Sequence, residues 1–212
     1  MNHSSKINNS RQGRDPEATR AEILDAAEEE FAKYGLAGAR TEAIAARTGV
    51  TKAMIYYYFK NKKALYEAVF QRIAKELKES MGKEDLKHLS APKALENTIK
   101  TVIAFRASHP HRGMLWFHEA VQNQGKYGEL SGWQESFLYL ASILEQGVEE
   151  GSFRQLDPFL TAINIIGSCL FYIDARENLK SLRQDYQWLS PDRLAKHTQE
   201  TINLILNGVL SN

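Results

Sequence analysis

The stretch TEAIAARTGVTKAMIYYYFKNKK, from Thr41 to Lys63, decides the fold of this chain. Its pattern predicts two short helices joined by a tight turn, followed by the start of a third helix. Thr41 is the predicted N-cap of the first helix, and Gly49 ends it, because glycine adopts a left-handed backbone at little cost. Thr51 is the predicted cap of the second helix, which turns apolar side chains inward at a four-residue step.

Two helices that cross at a short glycine turn form the helix-turn-helix pattern, in which the second helix enters the DNA major groove. The charge distribution agrees with this interpretation. Residues 1–65 carry 11 basic and 8 acidic residues, whereas the rest of the chain carries 16 basic and 18 acidic residues. The net charge of the whole chain is +1. A basic front end on a slightly acidic body is the charge pattern expected of a DNA-binding protein.

The run I-A-x-x-x-G-V-T-x-x-x-I-Y-Y-Y-F-K-N-K-x-x-L resembles the DNA-binding domain of TetR-family transcriptional regulators. The resemblance covers about residues 17–70 and is specific, because the tyrosine-rich block is not a general helix-turn-helix feature. Family members usually have serine where Thr51 stands, and often Gly-Thr or Pro-Thr where Ala53 and Met54 stand. The resemblance implies a homodimeric repressor that a small-molecule effector releases from its operator; an activator, or a dimeric DNA-binding protein without an effector, is the alternative.

The predicted fold is all-α, with a three-helix DNA-binding head and a larger helical body. We expect a disordered tail at residues 1–14, a helix-turn-helix domain at residues 15–70, and an effector-binding and dimerisation domain at residues 71–212. The first helix should begin at Asp15 and Pro16, a capping residue and a residue suited to the first helical position. Glu28, Glu29 and Glu30 are expected on its outer side, because they would repel phosphate.

The recognition helix is predicted to present part of its tyrosine block to DNA. Three consecutive tyrosines cannot all point inward, because neighbours on a helix lie about 100° apart. Thr51, Lys52, Ala53 and Tyr57 are predicted near base edges, with Ala53 suited to a thymine methyl; whether Lys52 reads guanine or neutralises a phosphate stays open. The predicted DNA-contacting residues are Arg40, Thr41, Thr51, Lys52, Ala53, Tyr56, Tyr57, Tyr58, Lys60 and Lys62.

The segment HPHRGMLWFHEAVQNQGKYGE, residues 109–129, interleaves aromatic and polar side chains. It is interpreted as the floor of a ligand pocket or as ordinary core. A metal site at His111 and His118 is disfavoured, because the usual closer spacing and a cysteine or carboxylate cluster are missing. A small organic effector, apolar or aromatic, would contact a predicted set made of Phe105, Trp116, Phe117, His118, Trp133, Phe137, Phe171, Tyr172 and Asp174.

The last two long helices are predicted to form the interface of a homodimer. The first of them follows Asp157 and Pro158 and has apolar side chains on more than one face, which suits a helix packed by its own domain and by a partner. The second opens at Ser190 and Pro191. Two recognition helices held about 34 Å apart read a palindromic double-stranded operator with multiplied affinity.

Composition and motifs argue against other classes of protein. A hydrophobic content of 43% and balanced charge are typical of a globular protein. A single cysteine, Cys169, excludes an internal disulfide framework and favours a cytoplasmic location. The most apolar run, residues 163–173, is too short to span a bilayer. The sequence shows no nucleophile with a base, no metal set and no phosphate-binding glycine loop, so we expect neither enzymatic activity nor a cofactor.

Overall fold

The structure is a computed structural model that describes residues 15–81 and 89–211. These residues form ten α-helices and two short 3₁₀ helices, which confirms the all-α prediction. The predicted tail at residues 1–14 lies outside the described residues. The α-helices are α1 (Pro16–Gly38), α2 (Thr41–Thr48), α3 (Lys52–Phe59), α4 (Lys62–Met81), α5 (Ala91–Ser108), α6 (Arg112–Asn123), α7 (Trp133–Glu149), α8 (Pro158–Asp174), α9 (Arg176–Leu179) and α10 (Pro191–Val209).

Helix α1 begins where the sequence predicts and supports the head. The Asp15 side chain accepts a hydrogen bond from the Glu17 backbone N–H at 3.0 Å, which satisfies one of the free donors of the first turn. Gly35, a residue that could end the helix, forms a kink within it: Gly35 has φ 67°, and helical residues continue to Gly38. Helices α1 to α4 share one apolar core, in which Ile23, Phe31 and Leu65 are fully buried.

Two expectations about this region are wrong. Glu28 and Glu30 are buried rather than on the outer side of α1, since they are 2% and 5% exposed. Glu30 accepts a hydrogen bond from the backbone N–H of Arg40 at 3.0 Å, and Glu28 is held by cations described below. Arg40 is the N-cap of α2, and Thr41 is its first helical residue.

The body has a second core, built by α5, α7, α8 and α10. Helix α6 packs mainly on α1, and its Leu115, together with Tyr127, belongs to the first core. Helix α4 extends from the head into the body: Leu65 and Tyr66 lie in the first core, whereas Leu77 and Met81 face a cavity in the body. The domain boundary near residue 70 stays a prediction.

No single helix in the described ranges is long and apolar enough to cross a membrane, although Pro158–Asp174 together with Arg176–Leu182, bent by 62°, passes that test as a pair.

Candidate nucleic-acid interface and cavity

Helices α2 and α3 are joined by the predicted tight turn. Gly49 ends α2 with φ 67° and ψ 17°, the left-handed conformation that glycine tolerates best. Thr51 caps α3, because its hydroxyl oxygen accepts a hydrogen bond from the backbone N–H of Met54 at 3.2 Å. Ile55 and Phe59 are 0% and 4% exposed and fix the inner face of α3 against the head. The opposite face of α3 is therefore left to solvent.

That solvent face carries the residues predicted near base edges. Thr51, Lys52 and Ala53 are exposed, and the Tyr57 side chain is 84% exposed. Met54, which the sequence analysis did not include, is 36% exposed on the same helix. A recognition helix needs its first turns and one long face free to enter a groove, and α3 meets this requirement.

The other predicted DNA-contacting residues surround this face with different exposure. Arg40 and Lys60 are exposed, and Tyr58 is half-buried. Thr41 is only 4% exposed, and its hydroxyl lies 3.3 Å from the hydroxyl of the half-buried Tyr56. The buried threonine therefore orients a tyrosine inside the head.

Lys62 has a structural contact of its own. Its Nζ donates hydrogen bonds to the carbonyl oxygens of Ala37 and Ala39, at 3.1 and 2.8 Å, and so closes the end of α1. Lysine amines near a helix C-terminus satisfy carbonyls that have no partner within the helix. The predicted contact of Lys62 with DNA would have to share the amine with these two carbonyls.

Two basic residues of the head are paired with carboxylates in the free protein. Lys52 Nζ lies 2.6 Å from Glu42, and Arg47 lies 2.6 Å from Glu29. The hydrogen bond to Glu42 raises the pKa of Lys52 above its ordinary value. Both pairs are exposed, and exposed ion pairs contribute little free energy. A DNA phosphate can therefore replace either carboxylate at small cost.

A cavity lies in the body between α4, α5, α6, α7 and α8. Its empty space is about 830 Å³, including the solvent at its mouth. Four of the nine predicted effector contacts line it: Phe105, Trp116, Trp133 and Phe137. The pattern of the sequence did not predict the other lining residues, which are Phe70, Ile73, Leu77, Met81, Thr98, Val102, Arg106, Arg112, Leu115, Ser131, Ser136, Leu140, Ile166 and Leu170.

The other five predicted contacts lie outside this cavity. Phe117 and Phe171 are 55% and 64% exposed on the surface. The Nδ1 atom of His118 faces the side-chain amide of Gln122. It accepts a hydrogen bond from that amide when the imidazole is neutral and carries its proton on Nε2. The prediction failed for these three side chains because helical periodicity does not show which face of a helix a neighbouring helix covers.

Tyr172 and Asp174 lie at the C-terminal end of α8. The Tyr172 ring stacks on His197 at 4.2 Å between centroids, and its hydroxyl donates to the Trp188 carbonyl oxygen at 2.8 Å. Asp174 lies behind the cavity wall, with its Oδ1 3.7 Å from Nε of Arg106. Burial raises the pKa of Asp174, although the nearby Arg106 and Arg176 oppose this shift.

A buried cluster of charges joins the head to the cavity wall. Glu28 of α1 accepts hydrogen bonds from Arg112 of α6 through Nε at 2.8 Å and Nη2 at 3.1 Å, and from Arg72 of α4. His111 lies 2.7 Å from the same carboxylate. Burial would by itself raise the pKa of Glu28, but hydrogen bonds from His111, Arg112 and Arg72 hold it well below the ordinary value. We call Glu28, Arg72, His111 and Arg112 the Glu28 cluster.

Comparison with known proteins gives the family of the chain. Residues 23–69 match the family model described as "Bacterial regulatory proteins, tetR family", and residues 92–205 match "Tetracyclin repressor-like, C-terminal domain". The HTH-type transcriptional repressor SCO4008 of Streptomyces coelicolor is 32% identical over 146 residues, which are 68% of this chain and 72% of that protein.

Solved structures share the fold. The ketosteroid transcriptional regulator KstR2 of Mycobacterium tuberculosis has a TM-score of 0.72 at 19% identity and covers 91% of this chain and 95% of its own. The regulator FadR of Bacillus subtilis, in complex with stearoyl-CoA, has a TM-score of 0.68 at 23% identity and covers 89% and 98%. With both family models matched and a repressor at 32% identity, this chain belongs to the TetR family of bacterial transcriptional regulators.

Proposed function

We propose that this regulator represses transcription by binding a palindromic operator as a homodimer, and that a small organic effector in the cavity releases it. One observation carries the effector part of this proposal. Arg112 lines the cavity and also holds Glu28 of α1, so one side chain belongs both to the ligand site and to the support of the DNA-binding head. A molecule that changes the position of Arg112 acts directly on α1.

The proposed DNA interface is the solvent face of α3 with its flanking residues. Tyr57, Lys52 and Ala53 supply a hydroxyl with an aromatic face, an amine and a methyl, which suit base edges and phosphates. Arg40 and Lys60 lie exposed beside it as phosphate contacts. Tyr56, Tyr58 and Lys62 are half-buried, so they serve at its edge, where the sugar–phosphate backbone passes.

Replacing Lys52 tests this interface. Lys52→Ala is expected to weaken operator binding about tenfold, because it removes one cation from the protein–DNA contact. If Lys52 neutralises a phosphate, the slope of log affinity against log salt falls by about 0.9 and unrelated duplexes lose as much as the operator. If Lys52 reads guanine, the loss is confined to the operator. Fluorescence anisotropy over a salt series measures both quantities.

Lys75→Ala is the matched control for this experiment. Lys75 lies on α4, its side chain is 78% exposed, and its nearest carboxylate, Glu79, is at 4.0 Å. We expect that variant to bind like the unmodified protein. Equal affinities for Lys52→Ala and Lys75→Ala would mean that α3 does not face DNA.

The proposed dimer interface is an apolar stripe on α8, supplemented by α10. Phe159, Ile163 and Phe171 are 59%, 45% and 64% exposed and recur along one face of α8. Gly167 lies between them, and a Cβ added there would meet no atom within 4 Å. Leu204 adds a 69% exposed side chain on α10. Exposed apolar side chains arranged as a stripe mark a protein–protein interface, and a second copy of the chain covers this one.

The proposed effector is apolar or aromatic, because apolar and aromatic side chains make up most of the cavity wall. The fold neighbour FadR holds stearoyl-CoA, a ligand with a long apolar chain. Helix α4 begins at the head with Lys62 and reaches the cavity with Met81, so it links the ligand site to the DNA-binding head. Release requires that the effector bind the DNA-free conformation more tightly than the DNA-bound one.

Filling the cavity tests the position of the effector site. Ser136 of α7 lines the cavity, whereas Ser142 of the same helix is exposed and lies outside it. Ser136→Leu is expected to raise the effector concentration for half-release at least about tenfold, because the added side chain occupies ligand space. Ser142→Leu should leave that concentration unchanged. The operator comes from selection among random duplexes, and the effector from a screen for compounds that release it.

Equal responses of the two serine variants would place the effector site elsewhere. DNA affinity that no compound changes would favour a dimeric DNA-binding protein without an effector. Transcription from a template carrying the selected operator tells repression from activation, because added protein lowers transcript yield in the first case and raises it in the second.

A further inference from the structure

The charged side chains in the cavity wall are all cationic. Among the described lining residues, Arg106 of α5 and Arg112 of α6 carry charge, and no aspartate or glutamate lines the space. The remaining wall is apolar apart from three hydroxyl groups and the indole N–H groups of Trp116 and Trp133. An apolar space with guanidinium groups on one side differs from a purely apolar pocket, because each buried cation needs an acceptor.

The hydroxyl groups do not supply free donors to a ligand. Thr98 donates to the Ala94 carbonyl oxygen at 2.8 Å, and Ser131 donates to the Gly128 carbonyl oxygen at 2.6 Å. Ser136 likewise donates to the carbonyl oxygen of Gly132. Each hydroxyl proton is therefore used within its own local segment, and the arginines are the charged hydrogen-bond donors left for a bound molecule.

Arg112 has an unused donor. Its side chain is 4% exposed, its Nε and Nη2 atoms bond to Glu28, and Nη2 also lies 2.7 Å from a carboxylate oxygen of Glu76. Its Nη1 atom is buried and has no hydrogen-bond partner among the described residues. Leaving a buried donor unpaired costs about 1–3 kcal/mol, more when it is charged, so an acceptor placed there would be favoured.

Arg106 is incompletely compensated as well. Its side chain is 11% exposed. It is paired with the carboxylate of Asp174, which lies 3.7 Å from its Nε, beyond hydrogen-bond distance. Burial lowers the pKa of Arg106, and the charge of Arg112 adds to this effect against the opposing attraction of Asp174. Within the described residues, one guanidinium group with an unpaired Nη1 atom and another without a carboxylate at hydrogen-bond distance thus border one apolar cavity.

We propose that the ligand of this cavity is an organic carboxylic acid, whose carboxylate is held by Arg106 and Arg112 and whose apolar or aromatic body fills the rest of the space. The carboxylate offers two acceptor oxygens, which match the planar guanidinium fork. Calling this ligand the effector rests on the proposed function; its chemical class rests on the cavity wall alone.

Matched compounds that differ in one group test the ligand class. The probes are 2-naphthoate and decanoate, each compared with the alcohol and the amine of the same skeleton. Calorimetric titration of the full chain at pH 7 is expected to show each acid binding at least about tenfold more tightly than its alcohol, because charge-assisted hydrogen bonds contribute about 1.5–3 kcal/mol. The amines should bind most weakly. Equal affinity of acid and alcohol, or no acid binding below about 1 mM, would overturn the proposal.

Removing the charge at Arg106 tests the assignment to these residues. Arg106→Met combined with Asp174→Asn removes both members of the pair and leaves no buried charge without its partner. We expect this variant to lose most of the acid preference and to keep its affinity for the alcohols. Ser142→Ala, a change of one exposed hydroxyl outside the cavity, should retain the preference. An acid preference that survives in the folded double variant would contradict the role of Arg106.

Operator release is measured separately by fluorescence anisotropy. Acids that bind the cavity without releasing DNA would leave the ligand class intact and refute the effector part of the proposed function. A neutral compound that releases DNA, together with acids that fail to bind, would refute the ligand class and leave the proposed function intact.

Discussion

A chain carrying Ile163→Glu and Phe171→Glu is expected to be monomeric and to bind its operator at least about 100-fold more weakly than the unmodified protein. The two side chains are 45% and 64% exposed and lie two turns apart on α8. Across a two-fold axis each glutamate would be buried against apolar surface, and an unpaired buried carboxylate is strongly unfavourable. Sedimentation equilibrium measures the mass, and fluorescence anisotropy measures the loss of DNA affinity.

The size of this effect comes from linkage of two half-sites rather than from damage to the head. A monomer presents one recognition helix to one half-site, whereas a dimer binds the second half-site as an intramolecular event. Val121→Glu and Leu138→Glu are suitable controls, because these side chains are 81% and 66% exposed outside α8 and α10. If the α8 variant stays dimeric at the concentration of the binding assay, the dimer uses another surface.

The sequence was sufficient for features that depend on local chemistry. Asp15 before Pro16 and Asp157 before Pro158 predicted the starts of α1 and α8, and both carboxylates accept hydrogen bonds from the following backbone, as capping residues do. Gly49 predicted the turn of the helix-turn-helix. Each of these features depends on residues within about four positions of one another, so the local sequence is enough to predict it.

Features that depend on long-range partners could not be predicted in this way. Glu28 looks like a surface glutamate in the run EEE, and its burial depends on Arg112, which is 84 residues away. Phe117 and Trp116 are adjacent aromatics, yet Trp116 lines the cavity and Phe117 is exposed. Helical periodicity orders side chains around one axis, and only the packing of α1 on α6 decides which of them are covered.

Glu28→Gln is expected to destabilise the protein by about 3 kcal/mol, because it removes a buried carboxylate that accepts hydrogen bonds from two arginines. Glu28 is 2% exposed and pairs with both Arg72 and Arg112, so its loss leaves these two arginines with only Asp25 and Glu76 as carboxylate partners among the described residues. Breaking a buried ion pair typically costs about 3–5 kcal/mol. Denaturant unfolding at one fixed protomer concentration measures the change, since dimerisation makes stability concentration-dependent.

Glu29→Gln is the matched control, one residue along the same helix. Glu29 pairs with Arg47 on the surface, with side chains 60% and 47% exposed, and such pairs contribute about 0–1 kcal/mol. Equal unfolding midpoints for the two variants would mean that the Glu28 cluster contributes no net stability.

The pH dependence of unfolding separates lost charge from lost packing. Because the pKa of folded Glu28 lies below its ordinary value of 4.5, its ionised form stabilises the fold above about pH 4.5, and this stabilisation is lost as the pH falls further. The unmodified protein and Glu29→Gln should therefore lose stability on acidification more steeply than Glu28→Gln, which has no carboxylate to protonate. Parallel pH curves would show that Glu28 acts through its shape rather than its charge. A shallower curve would show that charge joins α1 to the arginine in the cavity wall, and a ligand that binds Arg112 could then change the support of the DNA-binding head.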